Sequence, residues 1–309
     1  KGAHGSHLRL KWFSHTKLRE TCVPLSTPPR NCHSVSSGIE VLPREGGSGI
    51  DGVREVQGNT LLKTENLTKR FGRLVAVDRV NYVLREGEVA GIVGPNGAGK
   101  TTFFNLLTGY HFPDEGSILY QGQEITRASP QVRVAMGLMR TFQLTSTFDA
   151  LTVLDNLVLS YFRANRKPTI PALLRTPCRA FYNDDGVRTL LEMFELDHLQ
   201  KRLVRHLSLG EKRRLEIAMA IVAEPKVLLL DEPFAGLSEM EIRSVVEILR
   251  EQSRKRTIIV IEHKVSHLEG LVDRLTVLHE GRVIADGEFE ECLRNPEVRR
   301  SYWRVTEGT

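Results

Sequence analysis

Two short stretches carry residue types whose chemistry is directed at phosphate. The first, Gly94-Pro95-Asn96-Gly97-Ala98-Gly99-Lys100-Thr101-Thr102, follows the run Glu88 to Val93 and opens an apolar-faced segment ending near Gly109. Glycines let the main chain curl so that successive N–H groups point at one anion, and a helix starting there adds the positive end of its dipole. Lys100 then reaches the β- and γ-phosphates of a bound nucleotide, and the Thr101 hydroxyl ligates Mg²⁺. The second stretch, Val227-Leu228-Leu229-Leu230-Asp231-Glu232-Pro233, is four aliphatic residues followed by two carboxylates. Open α/β sheets bind ligands at the carboxyl ends of their strands. There Asp231 holds Mg²⁺ through its water shell, and Glu232 takes a proton from an attacking water. Alone, the acidic pair would equally suit a helix N-terminus; the glycine-rich cradle upstream favours catalysis.

A third stretch, Leu207-Ser208-Leu209-Gly210-Glu211, precedes apolar positions Leu215, Ala218, Met219 and Val222 at helical spacing. It sets a Ser hydroxyl and glycine amides at a second helix N-terminus. One nucleotide cannot easily use both anion sites of the same chain, since the cradle already surrounds its phosphates. A partner chain could bring this one to the γ-phosphate. By itself, Ser-x-Gly-Glu is an ordinary capping motif.

These residues need strands to carry them. Short apolar runs predict strands at Leu61 to Leu67, Val75 to Leu84, Glu88 to Val93, Gly116 to Tyr120, Lys226 to Leu230, Thr257 to Ile261 and Leu275 to Leu278. Gln121-Gly122-Gln123 marks a hairpin leading into Glu124 and Ile125. Helical patterns fall between, notably Glu239 to Gln252, and a largely helical segment spans Leu151 to about His206 with a looser stretch from Lys167 to Pro177. The alternation predicts an α/β domain with a mostly parallel sheet. Residues 1–58, rich in Ser, Pro, Gly and His, carry no sustained period and are expected to form a disordered extension before a domain at 59–309.

Composition narrows the partners. The longest aliphatic run, Ile217 to Ala223, lies between Glu216 and Glu224 and is far short of the roughly 20 residues of a membrane span. Any membrane association must come through another chain. The net charge is +5, but eight Lys/Arg against five Asp/Glu within residues 1–58 supply most of it. The rest is nearly neutral, which argues against nucleic acid. Cys22, Cys32, Cys178 and Cys292 have no paired spacing and are expected to be free thiols rather than zinc ligands.

From Leu61 onward the chain resembles the ATPases of ABC transporters. The motifs match in order: the cradle Gly94 to Thr102, Thr141-Phe142-Gln143, the signature Leu207 to Glu211, the carboxylate strand Val227 to Glu232, and His263 in Ile261-Glu262-His263. Upstream, Phe71 in Lys69-Arg70-Phe71-Gly72 stands where the family stacks an aromatic ring on adenine. Within that family it is most similar to the ATPases of branched-chain amino-acid, urea and short-amide importers. Arg140 to Gln143, Leu207 to Ala218, Asp231 to Leu237, Leu173-Leu174-Arg175-Thr176-Pro177, and Asn295 to Val298 with Tyr302 carry the likeness. The family's commoner signature has other residues at Leu209 and Glu211, and an Asp or Asn at Ser238. Residues 1–58 match nothing in it.

The resemblance implies a P-loop, RecA-like core with a mostly parallel sheet, an antiparallel β subdomain, and a helical insertion at about 144–210. It implies ATP and Mg²⁺ as ligands. Phe71, the cradle, Ser208, Gly210 and Glu211 would contact nucleotide; Thr101, Gln143 and Asp231 would serve the metal; Glu232, His263, Lys100 and Gln143 would act in hydrolysis. It implies a second ABC ATPase subunit, identical or related, sandwiching two ATP between cradle and signature. Transmembrane permeases would dock on the insertion, with a periplasmic or extracellular solute-binding protein acting indirectly. The chain would then sit peripherally on the cytoplasmic face of the inner membrane. An export ATPase of the lipopolysaccharide-export kind is the alternative, followed by a soluble ABC protein acting on DNA or ribosomes. The absence of heptads in the insertion counts against the latter.

Overall fold

The computed structural model describes residues 59–141, 147–165, 182 and 184–303. The expected extension 1–58, the looser stretch 167–177, Gln143, and Cys22, Cys32 and Cys178 lie outside the described residues. An antiparallel sheet of order β2-β1-β4-β5 is formed by β1 (Thr60–Phe71), β2 (Leu74–Arg85), β4 (Glu115–Tyr120) and β5 (Gln123–Glu124). Gln121 and Gly122, at φ 51° and 74°, make the tight turn joining β4 to β5. Two consecutive positive φ values match the right-handed strand twist of such hairpins.

The second sheet has the order β10-β9-β3-β8-β7-β6. It comprises β3 (Val89–Val93), β6 (Leu138–Arg140), β7 (Val227–Asp231), β8 (Thr257–Glu262), β9 (Arg274–His279) and β10 (Arg282–Gly287). All neighbours pair parallel except β10, which runs antiparallel to β9 at the edge. The strands β3, β7 and β8 are buried along their whole length. A parallel strand covered on both faces needs continuous apolar sequence, as these have. Alternate residues serve the two layers: Ala90, Ile92, Val227, Leu229, Ile259 and Ile261 pack toward the antiparallel sheet and helix α1 (Lys100–Thr108), whereas Leu228, Leu230, Ile258 and Val260 join the opposite core.

That opposite core is closed by α3 (Val153–Asn165), α4 (Asp185–Met193), α5 (Leu209–Ile221) and α6 (Glu239–Ser253). The C-terminal helices α7 (Phe289–Arg294) and α8 (Pro296–Trp303) complete it through Cys292 and Val298. Cys292 is a free, buried thiol. A short α2 (Pro130–Ala135) carries Arg133, which is wholly buried and donates to the carbonyls of Leu106, Leu107, Ile125, Thr126 and Ala128. Burial lowers its pKa to about 10. Its guanidinium donates to the carbonyls of Leu106 and Leu107 in the last turn of α1, where helical N–H partners run out and Leu106 otherwise takes the Gly109 N–H at 3.3 Å. The far end of the helix bearing Lys100 is thereby pinned.

Candidate functional site

The registers Val93↔Glu262 and Asp231↔Ile261 align the carboxyl ends of β3, β8 and β7. The next residues along each strand, Gly94, His263 and Glu232, therefore emerge side by side. The loop from Gly94 leads directly into α1, whose first turn holds no acidic residue and whose N-terminus has no side-chain cap. Its leading N–H groups are thus left for an external anion. Two glycines are required here by close approach: a Cβ on Gly94 would lie 2.3 Å from the Leu278 carbonyl, and one on Gly99 (φ 97°) 2.3 Å from that of Ala76.

An open pocket of about 750 Å³ lies over this loop, lined among others by Phe71, Asn96, Lys100, Thr101, Glu232 and His263. That volume suits a nucleotide-sized ligand. Phe71 is 44% exposed rather than packed in the core. Its ring meets His111 edge-on at 5.5 Å, and the Lys69 ammonium stands 5.6 Å from its centroid.

Lys100 is buried, and its ammonium donates to the carbonyls of Gly94 (2.6 Å) and Pro95 (3.0 Å). It also lies 3.3 Å from His263 Nδ1. Burial lowers its pKa, an effect opposed by Glu232, Asp231 and Glu262. On its other side His263 places Nε2 2.5 Å from Glu232 Oε1. A single tautomer satisfies both contacts: Nδ1 accepts from Lys100 and Nε2–H donates to Glu232. Glu232 itself adopts φ 49°, in the left-handed region that a non-glycine residue enters at a cost. Strain of this kind concentrates at functional positions.

Asp231 is fully buried, with Oδ2 held by Arg140 of β6 at 2.6 Å. Its Oδ1 has no hydrogen-bond partner among the described residues. Arg140 is in turn fixed by Asn105 at 2.6 Å. Glu262 is buried and accepts main-chain N–H bonds from Phe234 (3.0 Å) and His263 (3.3 Å). Desolvation pushes its carboxyl up to about 7.

Ser208, Gly210 and Glu211 are not among the residues lining the pocket. They start α5 as a full capping box: the Glu211 N–H donates to Ser208 Oγ at 3.2 Å, and the Ser208 N–H to Glu211 Oε2 at 2.6 Å. A Cβ on Gly210 would fall 2.2 Å from Glu241 Oε1, so that side chain would have to move aside to admit one. Ser238, where the family often has Asp or Asn, caps α6 by the same device with Glu241. The structure thus gathers Phe71, Asn96 to Thr102, Glu232 and His263 around one pocket, with Asp231 buried outside its lining and the signature apart from it. Nothing in the residue types of Glu262 or Arg140 announces a role; for Glu262 the only signal in the sequence is its adjacency to His263.

Residues 77–235 match a family model described as ABC transporter. The chain is similar to the high-affinity branched-chain amino acid transport ATP-binding protein LivG of Escherichia coli (strain K12), 38% identical over 247 residues, which is 78% of this chain and 97% of that protein. It is also similar to the high-affinity branched-chain amino acid transport ATP-binding protein BraF of Pseudomonas aeruginosa, 34% identical over 78% of this chain and 97% of that protein. Among solved structures, MJ1267, an ATP-binding cassette of an ABC transporter in its ADP conformation, superposes with a TM-score of 0.68 at 31% identity, covering 79% of this chain and 98% of that one.

Proposed function

The chain belongs to the ABC transporter family as an ATP-binding, ATP-hydrolysing subunit, and from that premise we propose that it energises import of branched-chain amino acids or related small solutes such as urea. The names of its relatives support that solute class. The observation that carries the catalytic reading is the chain Lys100–His263–Glu232 at the mouth of the cradle.

In this reading Phe71 stacks on adenine, and the amides of Gly97 to Thr102 receive the phosphates. Lys100 exchanges the Gly94 and Pro95 carbonyls for phosphate oxygens. Glu232 accepts the proton of the attacking water, and His263 holds the carboxylate in place. The residues present fit a magnesium ion: Thr101 offers a hydroxyl at the start of α1, and Asp231 keeps a buried oxygen without a hydrogen-bond partner. Such an ion would offset phosphate charge. Gln143 would complete the donors.

The signature's separation from the pocket supports action in trans, with Ser208, Gly210 and Glu211 serving a nucleotide held by a second ATPase subunit. Among the described residues no helix is long and apolar enough to cross a membrane. As in the transporter ATPases it resembles, permease subunits would provide the membrane path, this chain would sit peripherally on the cytoplasmic face, and a solute-binding protein would act through the permeases. The test is Glu232→Gln in the purified chain. ATP affinity should be retained while turnover falls roughly 10²-fold or more, since a proton acceptor is lost without emptying the site. Hydrolysis at the unaltered protein's rate would remove Glu232 from the mechanism.

A further inference from the structure

The catalytic reading leaves Tyr302 unused, although this residue was part of the C-terminal likeness in the sequence. It lies on α8, which begins at Pro296 with the Asn295 side chain accepting the Glu297 N–H at 2.8 Å. Val298, one turn before Tyr302 on the same helical face, is completely buried in the core that also contains Leu275 and Val277. The Tyr302 ring packs against the same core. The helix is therefore anchored independently of any nucleotide.

From that anchor the Tyr302 hydroxyl donates to the main-chain carbonyl of His263 at 3.1 Å. A main-chain hydrogen bond from Gly94 reaches the same phenol. Pairing between β3 and β8 ends at Val93↔Glu262, so His263 stands one residue beyond the ladder. Its N–H goes to the Glu262 carboxyl, and its carbonyl takes a side-chain donor from a helix 39 positions away in sequence. The imidazole hung on this main chain must hold 2.5 Å to Glu232 and 3.3 Å to Lys100 at the same time. A shift of the His263 backbone by a fraction of an ångström would release one of the two.

We propose that Tyr302 is a positioning residue for ATP hydrolysis, fixing the His263 main chain so that its imidazole stays on Glu232 and Lys100. The inference rests on the reading above in which His263 and Glu232 act in hydrolysis. Burial pushes the phenol up to about 12, so it remains a donor throughout the neutral range. The C-terminal helix is then part of the hydrolytic apparatus while touching neither substrate nor reacting atoms.

The experiment is a double-mutant cycle on the full chain with Tyr302→Phe and His263→Ala. Tyr302→Phe keeps the ring and removes the donor. It should lower kcat about tenfold while changing the KM for ATP less than about twofold, because misplacement of a catalytic group costs rate rather than binding. In the His263→Ala background the same change should cost less than about twofold, because the residue it serves is gone. An unchanged kcat for Tyr302→Phe, beside a crippled His263→Ala, overturns this inference alone. An equal tenfold loss in both backgrounds also overturns it, since the effect would then be structural. Hydrolysis by His263→Ala at the unaltered rate would instead overturn the assignment of His263, and this inference with it. Should Tyr302→Phe fail to fold, a trifluorotyrosine at position 302 keeps ring and hydroxyl but ionises at lower pH. Its kcat should fall with rising pH where the tyrosine protein is flat; superimposable profiles would refute the role.

Discussion

Glu262 offers a test of the site's electrostatics that needs no nucleotide. Its carboxyl is buried and raised from 4.5 to about 7, with desolvation the leading cause. The Glu232 carboxylate raises it further, while the N–H groups of Phe234 and His263 and the Arg213 guanidinium pull it down. His267 Nδ1 lies 3.8 Å away. The folded state thus binds this proton more tightly than the unfolded chain. Below the unfolded value both states are protonated and the contribution to stability is complete. As pH rises the unfolded chain ionises first, and stability drains away until the folded group also ionises near 7. The shift corresponds to about 3 kcal/mol in all, of which about 2 kcal/mol falls between about pH 5 and 8. Glu262→Gln removes the titration while keeping an acceptor for the Phe234 N–H. Urea unfolding of both proteins across that range should show the native chain losing about 2 kcal/mol relative to the mutant. Parallel stability curves would refute the argument, and with it the picture of a dry carboxyl bridging the two loops.

Two further changes probe the nucleotide contacts. Phe71→Ala should weaken ATP binding about five- to tenfold, the loss of an aromatic stack, with kcat nearly unchanged; equilibrium titration with a fluorescent ATP analogue reads it, and unchanged affinity would place adenine elsewhere. Ser208→Arg should abolish hydrolysis without affecting ATP binding to the single chain, as should Lys100→Ala for hydrolysis. If the chain forms homodimers, an equal mixture of the two should recover roughly a quarter of the activity, because half the dimers are mixed and each of those holds one intact site. Loss of ATP binding by Ser208→Arg alone would show the signature acting in cis.

What could be read from the chain and what could not divide along a physical line. The cradle is contiguous, so its spacing alone displays the curl of Gly94 to Gly99 and the position of Lys100. Strands β3, β7 and β8 are equally plain, because burial on both faces demands an unbroken apolar run. Edge strands carry no such demand: β6 has only three residues and β10 is mostly half-exposed, and neither shows a pattern that distinguishes it from a loop. Helices α7 and α8 are too short for a periodicity to register. The support of the site was hidden for a different reason. Arg140 and Asp231 are 91 residues apart, Lys100 and His263 163 apart, and Tyr302 reaches a carbonyl that has no residue type to announce it. Sequence displays the groups that would meet phosphate because their chemistry restricts residue type. The groups that hold those residues in place act through main-chain N–H and C=O, which every residue possesses, and only the folded register reveals which of them are used.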